Sequence, residues 1–504
     1  MEALRLHPDD PVALATVDLS PGQTVAIGNV AVVVRQPIPA GHKFAWRPIA
    51  QGDLVLKYGQ PIGHAVADIA PGEHVHAHNL RSLRGRGDLA GDLSAGFPML
   101  AVAAPLRGPH PLGAEGPPVT AFMGYRRRDG RAGVRNHVLV MATVQCANAV
   151  VDRIGQTLPE VVALSHVYGC SQLGDDLAQS QRVLEEFAMH PNVGAVLLIG
   201  LGCESMPTAE MGEKVAARGV LAQRLTIQEE GGCRAAYVKG LGLAREFLQE
   251  VSAARREPIP LAELVVGVEC GGSDAWSGVT ANPAVGVASD LIVQGGGTVI
   301  LSEVTEFIGA EHLLAARAAS PEVARQIVEA TARREEGAKR MGVDMRGAQP
   351  TPGNLAGGLT TIEEKSLGAI AKGGSRPVQE VVGYARRPSR RGLVVMDTPG
   401  NDPESVTGMV AGGAQVIVFT TGRGSPTGSP IAPVIKVASN SAMYHRLRDD
   451  MDLDAGTIIH AGEPLARVGR RIFDEIIAVA NGKETAAEAW GHREFAIHVI
   501  GPRV

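Results

Sequence analysis

Cysteines, aromatic residues and long apolar runs are all scarce in this chain of 504 residues. Its five cysteines are unevenly spaced, which argues against a disulfide scaffold and predicts reduced thiols. No run reaches the roughly 18–20 apolar residues that cross a bilayer. The opening segment MEALRLHPDD also lacks the apolar core of a signal peptide. We therefore expect no membrane partner and a cytoplasmic location.

The chain also lacks the positive charge that nucleic acids attract. Lys and Arg number 48 against 53 Asp and Glu, a formal net charge of −5, and no basic stripe or aromatic platform is visible. We expect no nucleic-acid partner. Glycine, in contrast, is abundant at 62 residues, which suits many tight turns between strands and helices.

The length exceeds what one hydrophobic core supports, so several domains are expected. Residues 1–82 predict a small all-β unit of the β-clip kind, because short alternating runs are separated by turn signals such as PAGH, YGQP and APGEH. Residues 83–118, rich in Gly, Pro and Arg, predict a linker. Alternating strand-like and helix-like segments then predict two α/β domains with mainly parallel sheets, over residues 119–256 and 260–504.

Four cysteines share one local setting, since each follows a strand-like apolar run and lies in a polar or glycine-rich turn: Cys146, Cys170, Cys203 and Cys270. Ligands bind at the carboxyl ends of parallel strands, so these thiols are candidates for one cleft. Cys146 is the weaker member, and Cys233 is expected to be structural.

Three of these thiols have polar neighbours: His166 and Gln172 near Cys170, Glu204 beside Cys203, and Ser273 and Asp274 after Cys270. The alternative is a set of small buried hydrophobic side chains, the usual fate of a free cysteine. Polar groups beside all three thiols favour a metal or substrate site. Thiolate ligands favour iron, zinc or an iron–sulfur cluster.

Histidines recur at alternate positions in HVHAHN, which places His74, His76 and His78 on one face of a strand. That face suits a metal or a carboxylate, and a solvated edge strand is the alternative. His42, Lys43 and Lys57 add cationic groups, with Tyr58 beside them, that could face an anionic substrate.

Late in the chain, Arg423 stands between Gly422 and Gly424 just after a predicted strand. A planar bidentate donor on flexible backbone suits a carboxylate or phosphate. Lys365 and Lys436 are further cationic candidates, and a solvated surface charge is the alternative for each lysine. There is no P-loop, and no GxGxxG lies between a strand and a helix, so no nucleotide cofactor is indicated.

Over nearly its whole length the sequence resembles the altronate dehydratase/galactarate dehydratase family. The matching stretches include GHKFA, KYGQPIGHA, GEHVHAHN, FMGYRRRDGRAGVRN, SHVYGCSQLGDD, ECGGSDAWSGVTANPA, SEVTE, TPGNLAGGLTTIEEKSLG and FTTGRGSP. Both GEHVHAHN and SQLGDD have the form found in altronate dehydratases. A third relative, sulfolactate sulfo-lyase, divides the corresponding regions between two subunits.

The resemblance implies a SAF-type β-clip domain followed by two α/β domains. It also implies dependence on Fe(II) or another divalent ion and elimination of water from a sugar acid. The implied reaction converts D-altronate to 2-dehydro-3-deoxy-D-gluconate and water. Galactarate or another aldarate is the alternative substrate, and a sulfolactate sulfo-lyase-like activity is a further one. A sugar-acid-binding protein without activity is the non-enzymatic alternative.

For this reaction we expect Cys170, Cys203 and Cys270 to hold the iron, with His166 as a fourth ligand or proton carrier. An iron–sulfur cluster with one open iron is the alternative to a single ion. Arg423 would grip the substrate carboxylate, and other expected substrate contacts are His76, His78, Ser273, Asp274, Gly422 and Gly424. Glu303, Lys365 and Lys436 are catalytic candidates without a ranking. The expected partner is the small sugar acid, and assembly into a homo-oligomer stays open.

Overall fold

The computed structural model describes residues 2–85 and 119–501. The predicted linker, apart from its first three residues, lies outside these ranges. None of the helices in the two ranges is long and apolar enough to cross a membrane.

Residues 2–85 form an all-β unit, as the alternating runs predict. Its strands pair in antiparallel fashion into sheets of order β1-β2-β5-β8, β3-β4 and β6-β7-β9. The strands are β1 Ala3–Leu4, β2 Val12–Ala15, β3 Thr24–Ile27, β4 Val30–Val33, β5 Lys43–Ala45, β6 Leu54–Lys57, β7 Gln60–Ala65, β8 His74–Val75 and β9 Leu80–Arg81.

The second unit is built on a four-stranded parallel sheet of order β13-β12-β14-β15, flanked by helices. Its strands are β12 His137–Ala142, β13 Val162–Leu164, β14 Val193–Gly200 and β15 Leu221–Thr226. Its helices are α1 Asn148–Thr157, α2 Gly174–Ala188, α3 Thr208–Ala217 and α4 Cys233–Ser252. The central strands β12 and β14 are almost continuously apolar, as expected for strands covered on both faces.

A short antiparallel sheet adjoins this unit. It consists of β10 Ala121–Arg126, β11 Ala132–Gly133 and β16 Glu257–Pro260. Residues 257–260, at the predicted boundary between the two α/β domains, therefore form strand β16, which pairs with β10.

The third unit contains a seven-stranded, all-parallel sheet of order β19-β20-β18-β17-β21-β22-β23. Its strands are β17 Val265–Cys270, β18 Thr298–Leu301, β19 Val378–Val382, β20 Gly392–Met396, β21 Val416–Thr421, β22 Val434–Ala438 and β23 Leu453–Asp454. Its helices are α5 Ala281–Gln294, α6 Glu311–Ala315, α7 Pro321–Met341, α8 Pro352–Ala356, α9 Ile362–Ala369, α10 Asp402–Ala411, α11 Ser441–Arg446, α12 Thr457–His460, α13 Leu465–Ala480 and α14 Ala486–Trp490.

The strand order of this large sheet determines where a ligand can enter. After β17 the chain fills the sheet on one side with β18, β19 and β20, and then crosses to the other side with β21, β22 and β23. The direction of winding thus reverses at β17. In open parallel sheets, the crevice at such a reversal, outside the carboxyl ends of the strands, is the usual binding site.

Candidate functional site

Buried ionisable side chains meet at the carboxyl end of β17. Cys270 is the last residue of that strand, and Glu303 and Glu306 follow the neighbouring strand β18. Lys365 comes from α9 and Lys372 from the 3₁₀ turn that extends it. Each of these five residues is at most 6% exposed. Charged groups buried this deeply must be paired with one another, because isolated burial is very costly.

The contacts in this cluster are short. Lys372 Nζ lies 2.8 Å from both Cys270 Sγ and Glu303 Oε2. The Cys270 thiol donates to Glu306 Oε2 at 3.0 Å, and Lys365 Nζ lies 2.7 Å from Glu306 Oε1. Burial raises the pKa of the Cys270 thiol well above its usual value, and the nearby Glu306 carboxylate adds to the effect. Cys270 is therefore a protonated thiol in this environment.

Glu303 has a backbone conformation that non-glycine residues rarely adopt, with φ of 64° and ψ of 58°. Its amide donates to Thr398 Oγ1 at 2.7 Å, and its carboxylate accepts from the amide of Cys270 at 2.9 Å. Strained residues of this kind cost about 1–3 kcal/mol and tend to occur at functional sites. The turn after β18 thus aims the Glu303 carboxylate at the end of β17.

A second group of carboxylates shares Glu303. One oxygen from each of Glu269, Glu303 and Asp402 lies within 4.8 Å of the others. Glu269 Oε2 accepts from the hydroxyls of Ser302 and Ser405, but Oε1 of Glu269 and Oε1 of Glu303 have no hydrogen-bond partner in the described structure. Burial, with repulsion from Glu303, raises the pKa of Glu269 well above its usual value. Burial, with repulsion from Glu306, raises the pKa of Glu303 to about 7 and that of Asp402 to about 6.

Lys436 lies on the same face of the sheet, two strands away. Strand register places Glu269, Phe419 and Lys436 side by side on β17, β21 and β22. Lys436 Nζ is buried, lies 3.5 Å from the centre of the Phe419 ring, and has no hydrogen-bond partner among the described residues. Burial lowers the pKa of this amine to about 7. It can therefore be neutral near pH 7, the state in which an amine accepts a proton.

The loops after β17, β21 and β22 are joined by hydrogen bonds. Asp274 Oδ1 accepts from Ser277 and from the Ser439 hydroxyl at 2.8 Å, while Oδ2 accepts from the Asn440 amide at 2.9 Å. This carboxylate is thus committed to holding the loops together. The neighbouring hydroxyl of Ser273 is buried and has no hydrogen-bond partner among the described residues.

Arg423 sits on the loop that follows β21. Its amide donates to Gly272 O at 2.9 Å, and its side chain is exposed. Gly422 on one side faces Asp274, where a Cβ would lie 2.3 Å from the Asp274 carboxyl carbon. Gly424 on the other side has a φ of 95°. The structure therefore brings Arg423 to the loop that follows Cys270, with its guanidinium toward solvent.

The predicted histidines cluster and reach the third unit, but not on one face of a strand: β8 ends at Val75, so His76 and His78 lie in the turn that follows it. His42 Nδ1 lies 2.9 Å from His74 Nε2, and the rings of His42, His74 and His76 lie within 5.1–5.2 Å of one another. His76 Nε2 lies 3.0 Å from Leu355 O at the end of α8, and His78 is exposed. Burial, with repulsion from neighbouring cations, lowers the pKa of His74 to about 3 and that of His76 to about 4.

Lys43 and Lys57 are not available to a substrate. Both are buried, and they approach Glu364 of α9 at 2.9 and 2.8 Å. Despite its burial, Glu364 has a pKa well below its usual value because of these two ammonium groups. This ion triad joins the N-terminal unit to the helix that carries Lys365.

The structure places Cys270 on a different sheet from the other cysteines that were expected to bind the metal. Cys146, Cys170 and Cys203 are exposed and follow β12, β13 and β14 of the smaller sheet. Their loops touch, since Gln145 N donates to Tyr168 O and Ser205 N donates to Gly169 O, both at 3.0 Å. Within residues 2–85 and 119–501, however, no set of three His, Cys, Asp or Glu ligand atoms within 4.8 Å includes these thiols.

His166 is held by the backbone of its own unit. Nε2 lies 2.7 Å from Ala142 O, and Nδ1 accepts from Tyr168 N at 3.2 Å. Burial lowers its pKa to about 4. With both ring nitrogens engaged, His166 has the contacts of a structural histidine rather than those of the expected ligand or proton carrier.

Four residues of the site were not predicted from the sequence: Lys372, Glu306, Glu269 and Asp402. Signals for them exist. Glu303 and Glu306 both belong to SEVTE, and Lys372 follows Lys365 by seven residues, which is two helical turns. Glu269 directly precedes Cys270, and Asp402 opens α10 after the capping residue Asn401. Their convergence depends on strand order, which no local pattern reveals.

Three family models together cover nearly all of the chain. They are the altronate/galactarate dehydratase SAF domain over residues 1–83, the D-galactarate dehydratase/altronate hydrolase second domain over 124–252, and the D-galactarate/altronate dehydratase C-terminal domain over 261–503.

Full-length relatives agree with these models. The chain is 36% identical to the altronate dehydratase of Bacillus subtilis (strain 168) and 37% identical to that of Escherichia coli (strain K12), with 99% of each chain covered. It is 37% identical to the galactarate dehydratase (L-threo-forming) of E. coli K12, over 99% of this chain and 97% of the relative. The chain therefore belongs to the altronate/galactarate dehydratase family of lyases.

Proposed function

We propose that this protein removes water from a sugar acid, with D-altronate as the first expected substrate and 2-dehydro-3-deoxy-D-gluconate as the product. The observation that carries the proposal is the buried group of carboxylates, amines and a thiol at the winding reversal of the seven-stranded sheet. So many buried charges do not serve the packing of a hydrophobic core, whereas proton transfer on an anionic substrate requires such groups.

The chemistry demands positive charge beside the substrate. Removal of the C2 proton next to a carboxylate creates an intermediate with two negative charges, and the C3 hydroxyl must then leave. Arg423 is exposed on the loop after β21 and would bind the substrate carboxylate, as a planar bidentate donor can. Lys365 and Lys372 place two ammonium groups in the buried cluster at the end of β17, where burial strengthens their effect on developing negative charge.

A divalent ion suits the carboxylate group of the site. Oε1 of Glu269 and Oε1 of Glu303 are buried and have no hydrogen-bond partner in the described part of the chain. Asp402 lies beside them, so three oxygen donors surround one small space. These residues would hold Fe(II) or another divalent ion, which would act as a Lewis acid toward the substrate oxygens. The alternative group of Cys270, Glu303 and Glu306 is less suitable, because Lys372 already occupies its centre.

Lys436 is the residue that we assign to proton abstraction. Its buried amine has no hydrogen-bond partner among the residues that the structure describes, and it lies on the sheet face that Glu269 shares. A neutral amine in that position can take the C2 proton and hold it as an ammonium ion. The histidine array at α8 would contact the hydroxyl groups farther along the substrate, with His76 and His78 as the nearest candidates.

The exposed thiols offer a second possible set of iron ligands. Cys146, Cys170 and Cys203 come from three touching loops, but as placed they are too far apart to share one ion. An iron–sulfur cluster takes its thiolates on different irons, so it tolerates a wider spacing. We keep this cluster as the alternative, and iron content distinguishes the two arrangements.

Galactarate is the second candidate substrate, because the identity to galactarate dehydratase matches that to the altronate dehydratases. The choice of altronate rests on the form of GEHVHAHN and SQLGDD alone.

The test is an anaerobic assay of the purified chain with Fe(II) on altronate, mannonate, galactarate, glucarate and sulfolactate, with the 2-keto product measured chemically. We expect turnover of altronate above the others. Glu303→Gln should abolish it, and Glu329→Gln, an exposed carboxylate on α7, should not. Failure of the folded, iron-loaded protein to dehydrate any of these acids would contradict the proposal.

A further inference from the structure

A cavity of about 600 Å³ opens at the amino ends of the large sheet, on the edge opposite to the candidate active site. Val265 and Thr298, which begin β17 and β18, line it together with Gln415, which precedes β21. Arg126 and residues 129–132, around the β10–β11 turn, close it from the other side. The cavity therefore lies where the second and third units meet.

Arginine dominates the lining of this cavity. Five arginines and two carboxylates, Asp129 and Glu263, line the cavity, and two further carboxylates, Glu186 and Glu257, pair with Arg387 and Arg126 from outside the lining. The arginines are Arg126, Arg131, Arg387, Arg390 and Arg391. A second cavity of about 170 Å³ shares Arg126 and Arg131 and adds Arg127, Arg128 and Arg218. Both cavities contain part of the stretch RRRDGR, which the proposed chemistry does not use.

Some arginines of this region have no carboxylate partner among the described residues. Within the described ranges, Arg127 donates to uncharged oxygens, those of Pro191 at 2.6 Å, Asn136 at 2.7 Å and Arg135 at 2.8 Å. Burial lowers its pKa to about 10, and repulsion from Arg131 contributes to the shift.

Inside the larger cavity, unused donors remain. Arg131 pairs with Asp129 at 2.6 Å, but its Nη1 is buried without a hydrogen-bond partner in the described residues. Arg390 and Arg391 are exposed at the cavity wall, and neither side chain forms an ion pair with a described residue. Unused guanidinium N–H donors on two walls of one space, from Arg131 and from Arg390 and Arg391, are the complement of an anion with more than one charged group.

We propose that this arginine-lined cavity binds a small polyanion, a molecule with at least two carboxylate or phosphate groups. The volume is within the range of small-molecule sites. Carboxylates and phosphates both fit the bidentate guanidinium fork. Because the second and third units both contribute arginines, the bound anion holds the two units together. This proposal is independent of the proposed function, since the cavity shares no residue with the carboxyl-edge site.

The test measures binding of pyrophosphate and citrate to the full-length protein by calorimetry and by thermal shift, at constant ionic strength. We expect saturable binding of at least one of them, with a rise in melting temperature that equimolar chloride does not produce. Preference for pyrophosphate identifies phosphates as the ligand chemistry, and preference for citrate identifies carboxylates. No saturable binding of either anion would overturn the proposal.

Variants separate the cavity from general charge effects. The double variant R390A/R391A should weaken binding by about tenfold or more, since two charge-assisted contacts are lost. The matched variant R325A/R340A removes two exposed arginines from α7 and should leave the affinity unchanged. Equal weakening in both would reduce the effect to net charge and overturn the proposal. So would loss of binding in R423A, which would place the anion at the candidate active site instead.

Discussion

The ammonium nitrogen of Lys372 lies 2.8 Å from the sulfur of Cys270, out of reach of solvent. The two residues are 102 positions apart, and their contact joins the end of β17 to the turn after α9. Glu303 accepts from the same nitrogen. Together with Lys365, which pairs with Glu306, Lys372 thus allows a thiol and two carboxylates to share one buried space.

Removal of the Lys372 ammonium group should strongly destabilise the folded protein. Lys372→Met leaves the Glu303 and Glu306 carboxylates buried with less compensation, which typically costs about 3–5 kcal/mol when a buried pair is broken. We expect the free energy of unfolding, measured in urea, to fall by that order. Lys214→Met breaks an exposed pair with Glu185 and should cost at most about 1 kcal/mol. Equal effects of the two changes would contradict the buried cluster.

Lys436 should matter for the rate and not for the fold. Lys436→Met replaces a buried amine that lacks a hydrogen bond with an apolar chain, so the melting temperature should hold or rise. The rate should drop by about 10²–10⁴-fold if the amine is the base. Lys436→Arg should not restore it, because a guanidinium stays protonated. A variant with full activity would remove Lys436 from the mechanism.

The pH dependence of the rate follows from the same residue. The pKa of Lys436 is lowered to about 7, so the fraction of neutral amine rises as the pH passes through that value. The kcat/KM of the wild-type protein should therefore increase from pH 6 to pH 8. In Lys436→Met the residual rate should lack this rise. A profile that is flat or falling in the wild type would argue against an amine base.

The buried ion triad should control the attachment of the N-terminal unit. Glu364→Gln leaves Lys43 and Lys57 without their carboxylate partner, which we expect to destabilise the interface by about 3–5 kcal/mol. Limited proteolysis should then release the N-terminal unit faster. Glu329→Gln, whose partner Arg325 is exposed, should leave the proteolysis rate unchanged.

The histidine array should make the fold sensitive to acid. The pKa values of His74 and His76 are about 3 and about 4 in the folded chain, against an ordinary value of 6.5. The unfolded chain therefore binds more protons in this window, so stability is lost as the pH falls from about 6.5 towards about 4. His74→Gln should reduce the drop in melting temperature between pH 7 and pH 5. His460→Gln, at an exposed position, should not.

The five thiols should divide into two classes. Cys146, Cys170, Cys203 and Cys233 are exposed, and Cys270 is 1% exposed and hydrogen-bonded. A thiol reagent should titrate four groups in the metal-free native protein and the fifth only after unfolding. In iron-loaded protein, C146S/C170S/C203S should keep its iron if the carboxylates hold it. Loss of the iron, together with loss of a visible absorption band, would favour the cluster.

Much of the architecture follows from local pattern. Apolar runs of strand length, separated by glycine-rich turns and amphipathic stretches, predict the β-rich first unit and the parallel sheets of the other two, and both are confirmed. The extended motifs likewise predict the family, which the comparisons confirm. These features are readable because periodicity and turn chemistry act between neighbours in the chain.

Only the tertiary structure decided which candidates meet. Cys270 resembles Cys170 and Cys203 in local sequence, yet strand order buries it beside Lys372 and leaves them exposed on another sheet. Lys57 looks like a free cation, yet it pairs with Glu364, 307 residues away. A residue's charge and neighbours in sequence do not determine its burial. A buried charge needs partners of opposite charge, and long-range packing brings those partners together. Local sequence does not show which distant residues they are.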